Sequence, residues 1–447
     1  MFKKIELWLV GLIILFFIIL IIFISGVLRD AYLGINKTPP ILRDNLTIVA
    51  EIPKNIFQLT NFFLNKNAPP KLQKNKDKKR FQQFIKNNRN ALLVLPRYDH
   101  SLKRSVIDVI DLNNFKLLHT YKHDIIKMNS KVRNKVLFPR LSIDDSPIRF
   151  EYWHPLILND GSIISESDRS PLFKIDFCSS LVWINDEIIF HHSKMLDHEK
   201  NIWVGGQMNP KSKFVLNNQT TNYDNFWDDS ITKISIDGEV LYNKSIIEIL
   251  IENNFLDMNI FDGNTDPIHL NDIEPALNST KYWKQGDIFL SLRNQSAIIH
   301  YRPDTDKVIN YITGPFAMQH DVDIISDKEI SIFNNNNFIS NNKYSEVIIF
   351  NFETKKFRKL FNNQLQKENF KTYTEGLSHI FEDKSLLVEE QNHGRIILFN
   401  SSGEKEWEFV NKDKNQDIGR VNWSRIIEDE LFIENFKSLV KNKKCLN

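Results

Sequence analysis

The chain has 447 residues, a formal net charge of +2, 42% apolar residues and 26% charged residues. These values are normal for a packed globular protein with a large core. The near-zero net charge gives no electrostatic basis for nucleic-acid binding. No Gly-Lys dipeptide and no GxSxG motif occur, which excludes a P-loop and a serine nucleophile elbow.

The first part of the chain predicts a membrane anchor. An apolar run without charged residues extends over residues 7–24, about the length that spans a hydrocarbon core. Lys3 and Lys4 precede it, which predicts a cytoplasmic N-terminus and an exported remainder. No A-x-A cleavage site follows. We therefore favour an uncleaved anchor over residues 1–29 rather than a removed signal peptide.

Residues 30–90 are predicted to form a partly helical stalk or linker. The segment contains two Pro-Pro pairs and a basic run over residues 71–80. Apolar residues at helical spacing predict a short amphipathic helix, namely Ile48, Ile52, Ile56 and Leu59. The basic run is interpreted as a solvated face.

From residue 91 onward the pattern becomes all-β. Short apolar runs alternate with turn residues, and a unit of polar residue, strand, turn and second strand recurs. The copies begin at His154, His192, His269, His320, Ser378 and Asn422. Repeats of this length and composition are typical of propeller blades, so residues 91–447 are predicted to form a six-bladed β-propeller.

The repeat predicts a shared histidine site. Because the innermost strand of each blade lines the central channel, His154, His192, His269 and His320 are expected to converge. Converging imidazoles suit either a metal ion or the transfer of an anionic group. Arg293 favours the second alternative, since a guanidinium repels a metal ion but clasps sulfate or phosphate with two hydrogen bonds.

Five segments in the same order carry a family resemblance. They cover residues 190–204, 266–275, 290–298, 314–322 with 332–335, and 374–377. Over roughly residues 150–410 the chain resembles the arylsulfotransferases that work without a nucleotide sulfate donor.

The resemblance implies a six-bladed propeller and a ping-pong reaction without cofactor or metal. A histidine takes the sulfuryl group from an aryl sulfate donor and passes it to a phenolic acceptor. By position, His320 corresponds to that nucleophile. His192, His269 and Arg293 correspond to the groups that hold the sulfate oxygens and manage the phenol proton. His191 is an alternative to His192, which is favoured because it begins the apolar strand.

Other interpretations stay open at this point. The chain could be a non-catalytic, membrane-anchored propeller that binds an anionic ligand or a protein partner, or a metal-dependent hydrolase. The two cysteines, Cys178 and Cys445, form either one disulfide in an exported protein or two free thiols. The sequence does not predict the oligomeric state.

Overall fold

The computed structural model describes residues 6–32, 68–86, 89–141, 143, 145–217, 226–256, 265–336 and 344–445. The chain divides into two compact units. The first includes the N-terminal helix, and the second consists of Asn67–Asn217, Trp227–Asp257 and Asp266–Asn447. The amphipathic helix predicted near residues 48–59 lies outside the described residues.

Helix α1 (Leu7–Tyr32) is the main described element of the first unit. Its segment Trp8–Val27 has 20 residues, which at 1.5 Å per residue cover about 30 Å, the thickness of a hydrocarbon core. The apolar side chains along this segment are exposed rather than packed in a core. The helix is therefore long and apolar enough to cross a membrane. A cleaved signal sequence would meet the same criteria.

The second unit is an all-β, propeller-like arrangement. Its described residues contain 24 strands in five antiparallel sheets. The strands are β1 (Phe81–Gln83), β2 (Leu92–Asp99), β3 (Arg104–Asp111), β4 (Lys116–Tyr121), β5 (Trp153–Ile157), β6 (Ile163–Glu166), β7 (Ser170–Ile175), β8 (Leu181–Leu196), β9 (Ile202–Gln207), β10 (Asp229–Ile234), β11 (Val240–Ser245), β12 (Leu270–Pro275), β13 (Ile288–Leu292), β14 (Ala297–Arg302), β15 (Lys307–Thr313), β16 (Val322–Ile324), β17 (Glu329–Asn334), β18 (Glu346–Asn351), β19 (Lys356–Leu360), β20 (Ser378–Ile380), β21 (Leu386–Glu390), β22 (Arg395–Phe399), β23 (Lys405–Val410) and β24 (Arg425–Ile427). Short helices lie outside the strands: α2 (Ile125–Lys131), α3 (Lys213–Asn217), α4 (Ile246–Glu252), α5 (Asn362–Lys367) and α6 (Glu430–Asn442), with 3₁₀ turns at Pro303–Thr305 and Gln391–His393.

The prediction of six separate blades is corrected by the sheet topology. Four sheets are separate blades, with the strand orders β24-β2-β3-β4, β12 to β15, β16 to β19, and β20 to β23 with β1 added outside β23. The fifth sheet has seven strands, β5 to β11. The reason is strand β8, whose 16 residues pair with β7 along the first part and with β9 along the second. One continuous strand therefore joins two groups of strands that the repeat pattern assigned to different blades.

Burial along a blade distinguishes its middle strands from its outer strand. In one blade, β17 and β18 are buried along almost their whole length, whereas the charged outer strand β19 is mostly exposed. Strands covered on both faces read as nearly continuous apolar runs, and charged edge strands resist pairing with other chains. The main hydrophobic clusters accordingly lie where side chains of successive sheets meet.

Buried carboxylates join neighbouring sheets. In each case a carboxylate accepts a hydrogen bond from a backbone N–H at the start of the next inner strand, at 2.6–3.0 Å. The acceptors and donors are Asp229 with Leu270, Asp272 with Val322, Asp321 with Ser378, and Glu389 with Trp423 and Ser424. Because these N–H groups are buried, each bond satisfies a donor that would otherwise destabilise the fold.

Both ends of the second unit are tied into sheets. β1 pairs with β23, and β24 pairs with β2, so a strand near each end of the unit completes a blade from the other end. Helix α6 buries Phe432, Ile433 and Phe436 in the cluster beside β3 and β7. A disulfide links Cys178 to Cys445, with a Cα–Cα distance of 5.3 Å, so the first of the two cysteine alternatives is the one observed.

Residues 68–86 belonged to the predicted stalk, and the structure places them against the propeller. Besides the pairing of β1, three lysines of the basic run meet acidic side chains of the last blade region. The pairs are Lys71 with Asp417 at 2.7 Å, Lys74 with Glu390 at 2.6 Å, and Lys78 with Glu408. The positive charge of this run therefore faces carboxylates of the same unit.

Candidate active site

Backbone strain recurs near the positions at which the copies of the repeat begin. His154, His192, His269 and Trp423 have φ values of +33°, +65°, +54° and +64°. Left-handed conformations cost non-glycine residues about 1–3 kcal/mol and concentrate at functional sites. The three histidines each begin a copy of the repeat, and Trp423 is the second residue of its copy. His320 differs, because the left-handed residue of its repeat is Met318 at +56°.

At His192 the strain coincides with a break in the sheet. The pairing of β8 with β9 is irregular between His191 and Lys194, so His192 lies in a bulge of this long strand. The prediction that His192 begins a strand is therefore wrong, because β8 already starts at Leu181 and runs on through both histidines. Bulges redirect side chains and are common next to active sites. Here the bulge allows two consecutive histidines to lie close together instead of pointing to opposite faces.

Three of the predicted histidines meet at one place. The ring centroid of His192 lies 5.4 Å from that of His269 and 6.3 Å from that of His320. The indole of Trp423 lies 6.1 Å from His192 and 6.2 Å from His320, so it forms a wall of the same group. The convergence of these three histidines, expected from the repeat, is therefore present in the structure.

The fourth histidine, His154, reaches this group through Trp423. Its ring stacks on the indole at a centroid distance of 5.2 Å and an angle of 20°. Burial, together with the positive charges of Arg425 and Lys194, holds the pKa of His154 well below its ordinary value. His154 is therefore a neutral ring packed behind the tryptophan.

Arg293 is linked to His269 by a backbone hydrogen bond. Its backbone N–H donates to the carbonyl oxygen of His269 at 3.0 Å, and its guanidinium donates to Oδ1 of Asn294 at 2.8 Å. The positive charge of Arg293 also contributes to the lowered pKa of His320. The structure thus places this guanidinium in the electrostatic neighbourhood of the histidines.

The ring of His320 is held by two hydrogen bonds. Oδ1 of Asn335 accepts a bond from Nδ1 at 2.7 Å, and Nε2 accepts a bond from the backbone N–H of Glu375 at 2.9 Å. Asn335 is itself oriented, because its amide nitrogen donates to the carbonyl oxygens of Thr372 and Glu375. His320 therefore carries its proton on Nδ1 and a lone pair on Nε2. Burial lowers the pKa of His320 to about 3, so the ring is neutral at pH 7.

His191 forms a second buried contact with the group. Its Nδ1 lies 2.8 Å from Nδ1 of His192, and its Nε2 lies 3.2 Å from the carbonyl oxygen of Gly206 and 3.5 Å from Oδ1 of Asp229. Burial opposes a charge on His191, but the Asp229 carboxylate outweighs it and raises the pKa of His191 above its ordinary value. Burial, followed by the electrostatic influence of His191, lowers the pKa of His192 well below its ordinary value.

A small cavity of about 40 Å³ opens beside His192 and His269. His269 is held by Asp266, whose Oδ2 lies 2.6 Å from Nδ1. On the other wall the guanidinium of Arg169 stacks on Trp227, with Cζ 3.9 Å from the ring centroid. A second cationic group and an aromatic face therefore line the space next to the histidines.

A larger cavity has a volume of about 440 Å³, and His154 and Ser424 are among the residues that line it. Four carboxylates line it, two of them buried and two half-buried, and desolvation raises the pKa of each. They are Asp272, Glu274, Asp321 and Asp323. Across the described part of the chain, no group of three or more His, Cys, Asp or Glu residues has the arrangement of a metal site.

Several residues of this site were not identified from the sequence as site residues. They are Arg169, His191 as a partner of His192, Trp227, Asp229, Asn335 and Trp423. Two of them had a usable signal, since Asn335 ends one of the family segments and Trp423 follows Asn422, the first residue of the sixth repeat. Asp229 and Trp227 follow a stretch without a recognisable pattern, and only the fold brings them to His191.

Comparisons with known proteins place this site in a family context. A family model described as Arylsulfotransferase (ASST) matches residues 154–412, more than half of the chain, whereas no curated protein matches it. Among solved structures, a protein of unknown function from Bacteroides caccae aligns with 11% identity over 76% of this chain and 99% of that chain, with a TM-score of 0.46. TolB from Acinetobacter baumannii aligns with 9% identity over 76% and 68%, with a TM-score of 0.45. The matched family segment begins at His154 and contains His192, His269, Arg293 and His320, and the chain belongs to the arylsulfotransferase family.

Proposed function

We propose that this protein transfers a sulfuryl group from an aryl sulfate ester to a phenolic acceptor through a covalent intermediate on His320. The observation that carries the proposal is the state of the His320 ring: it is buried and neutral, and Asn335 fixes its proton on Nδ1. The Nε2 lone pair is therefore the nucleophile. Attack on sulfur forms an N–S bond and breaks the S–O bond of the donor, which leaves as a phenolate.

The surrounding groups support the charge development of this step. Negative charge spreads over the sulfuryl oxygens in the transition state, as it does in phosphoryl transfer. Fixed donors aimed at such oxygens are each worth about 2.7–4 kcal/mol. We assign this role to His269 and Arg293, and we assign proton transfer to and from the phenol oxygen to His192.

In the second half of the reaction a phenolic acceptor attacks the sulfohistidine. The acceptor loses its proton to His192, the new S–O bond forms and the N–S bond breaks, which regenerates His320. The guanidinium of Arg169, stacked on Trp227 at the wall of the small cavity, is a further cationic group next to the histidines. No cofactor enters this scheme.

We also propose that α1 anchors the protein and that the propeller faces the extracytoplasmic side. Lys3 and Lys4 precede the helix, and a disulfide is typical of oxidising compartments. In intact cells a membrane-impermeant protease should therefore cleave the propeller. Protection of the propeller until the membrane is permeabilised would contradict this orientation.

One observation favours the non-catalytic alternative, a propeller that binds an anionic ligand. The backbone N–H of Glu375 occupies the Nε2 lone pair of His320. Catalysis requires that a bound donor replaces this bond. Glu375 itself has a φ of +50°, a strained conformation that a change in this segment would relieve.

A transfer assay decides between the two functions. The full-length protein is incubated with a chromogenic aryl sulfate and a phenol, and release of the donor phenol is followed with and without acceptor. We expect turnover with the wild type and no turnover with His320→Ala. The matched control is His379→Ala, which changes a repeat histidine whose ring pairs with Glu428 outside this group. Full turnover by His320→Ala, or none by the wild type with any aryl sulfate, would reject the proposed chemistry.

A further inference from the structure

The contact between His191 and His192 constrains where protons can lie. Two ring nitrogens 2.8 Å apart form a hydrogen bond only if one proton lies between them. Nε2 of His191 faces two acceptors, the carbonyl oxygen of Gly206 and the carboxylate of Asp229, so it carries a proton. The contact therefore has two allowed states, which differ in the owner of the shared proton.

In the first state His191 is an imidazolium and donates to Nδ1 of His192. His192 is then neutral with its proton on Nε2, the nitrogen not engaged by His191. In the second state His191 is neutral and accepts from Nδ1–H of His192, whose Nε2 then carries a lone pair. Passing from the first state to the second releases one proton at Nε2 of His192.

We infer that Asp229 and His191 are positioning residues, an inference that rests on the proposed function. They make His192 the acid of the sulfuryl-transfer reaction, while His192 itself carries no charge. The proton leaves Nε2 of His192 for the departing phenolate, and the proton between the rings moves from His191 to Nδ1 of His192. The phenolate becomes a phenol, and the imidazolium becomes neutral His191. The acceptor phenol reverses both movements in the second half of the reaction.

The buried groups around the pair agree with this division of charge. Burial disfavours a charge on both rings, but Asp229 and Glu166 favour a charge on His191, whereas His191 itself and Lys194 disfavour one on His192. Burial raises the pKa of Asp229, but the hydrogen bond and charge of His191 outweigh it and leave that pKa below its ordinary value. A positive charge is therefore favoured on His191 and disfavoured on His192.

The fold holds this arrangement in place. The second carboxylate oxygen of Asp229 accepts the backbone N–H of Leu270 at 2.7 Å, so Asp229 cannot swing away from His191. Glycine at position 205 leaves room for the ring, because a Cβ there would lie 3.2 Å from Cε1 and 3.3 Å from Nδ1 of His191. The ring of His191 is thus confined between β9 and the bulge in β8.

The test compares aryl sulfates whose leaving phenols differ in pKa. A poor leaving group needs the proton, whereas a good one departs as the phenolate. Asp229→Asn keeps an oxygen for Leu270 but removes the charge, and His191→Gln removes the imidazole. We expect both variants to lower kcat/KM by about 10²-fold or more for the poorest leaving group and little for the best, in line with the usual contribution of general-acid catalysis. The plot of log kcat/KM against leaving-group pKa should become steeper.

The matched control is Asp228→Asn, the neighbouring buried aspartate, whose carboxylate binds Ser245 and the backbone of Ser212 instead. It should leave the slope of the plot unchanged. An equal loss for all donors in Asp229→Asn, or an unchanged slope, would show a merely structural role and overturn the inference.

A second measurement separates this inference from the proposed function. If the wild type transfers no sulfuryl group, the chemistry fails, but the charge on His191 remains testable. The ¹⁵N spectra of histidine-labelled full-length protein at neutral pH should contain one buried imidazolium that is lost in both Asp229→Asn and His191→Gln. Its absence from the wild type would overturn the inference.

Discussion

Replacing Lys194 with methionine removes a buried ammonium that joins the strands of the site. The side chain of Lys194 is fully buried, and Nζ donates to the carbonyl oxygens of Trp153, His154 and His192 at 2.8–3.2 Å. Nζ also lies 2.7 Å from a carboxylate oxygen of Glu166. Methionine matches the aliphatic stem but leaves Glu166 and three carbonyl groups without their partner.

The expected magnitude follows from this loss. Removing one partner of a buried pair costs about 3–5 kcal/mol of unfolding free energy. Burial shifts both pKa values toward the neutral forms, that of Glu166 up to about 7 and that of Lys194 down to about 8. Without Lys194 the pKa of Glu166 rises further. A carboxyl group whose pKa is raised in the folded state destabilises the fold as pH increases. Lys194→Met should therefore lower the unfolding free energy more at pH 8 than at pH 6.

Denaturant unfolding followed by tryptophan fluorescence measures this cost. Adding Glu166→Gln to Lys194→Met removes the unpaired acid and should recover most of the lost stability at pH 8. The control is Lys233→Met, whose partly exposed ion pairs are worth at most about 1 kcal/mol. A cost below about 1 kcal/mol for Lys194→Met, or no recovery in the double variant, would refute the reasoning.

Three further changes test separate parts of the account. Replacing Cys178 and Cys445 together by serine should lower the unfolding free energy by about 2–5 kcal/mol in denaturant titrations, and an unchanged midpoint would contradict a stabilising role for the disulfide. Asn335→Ala should slow sulfonation of His320 by roughly fivefold to tenfold, equivalent to about 1 kcal/mol for one hydrogen bond, and an unchanged single-turnover rate would show that the amide does not orient the ring. Burial raises the pKa of Asp272 to about 7, so the contribution of this group to the unfolding free energy is favourable at low pH and is lost as pH rises through that value. The unfolding free energy of Asp272→Asn should therefore rise by up to about 2–3 kcal/mol relative to that of the wild type between pH 5 and pH 8. A difference in unfolding free energy that is independent of pH would contradict this assignment.

The repeat pattern predicted the all-β, propeller-like arrangement because inner and middle strands are apolar runs bounded by turns. It did not predict the seven-stranded sheet. Within Leu181–Leu196 two apolar runs are separated by turn residues, namely Asn185, Asp186 and the adjacent polar residues. The backbone nevertheless continues through them as one strand. Pairing with both neighbours decides this, and pairing is not visible in a single sequence.

The site was predictable to the extent that it depends on the repeat. His192, His269 and His320 were predicted from equivalent positions of the repeat, and the structure brings their rings together. Asp229 begins β10 and Asn335 directly follows β17, and the roles of both depend on tertiary distances. His154 shares the repeat position but is separated from the others by the stacked tryptophan, a packing detail that periodicity does not carry.

The most direct test of the central claim is a mass measurement after incubation with an aryl sulfate donor and no acceptor. The full-length protein is mixed with donor, digested under conditions that preserve N–S bonds, and the peptides are compared with an untreated sample. We predict the gain of one SO₃ group on the peptide that contains His320, and its loss when a phenol is added. A modification on a different histidine, or turnover without any modified peptide, would contradict a sulfohistidine at this position.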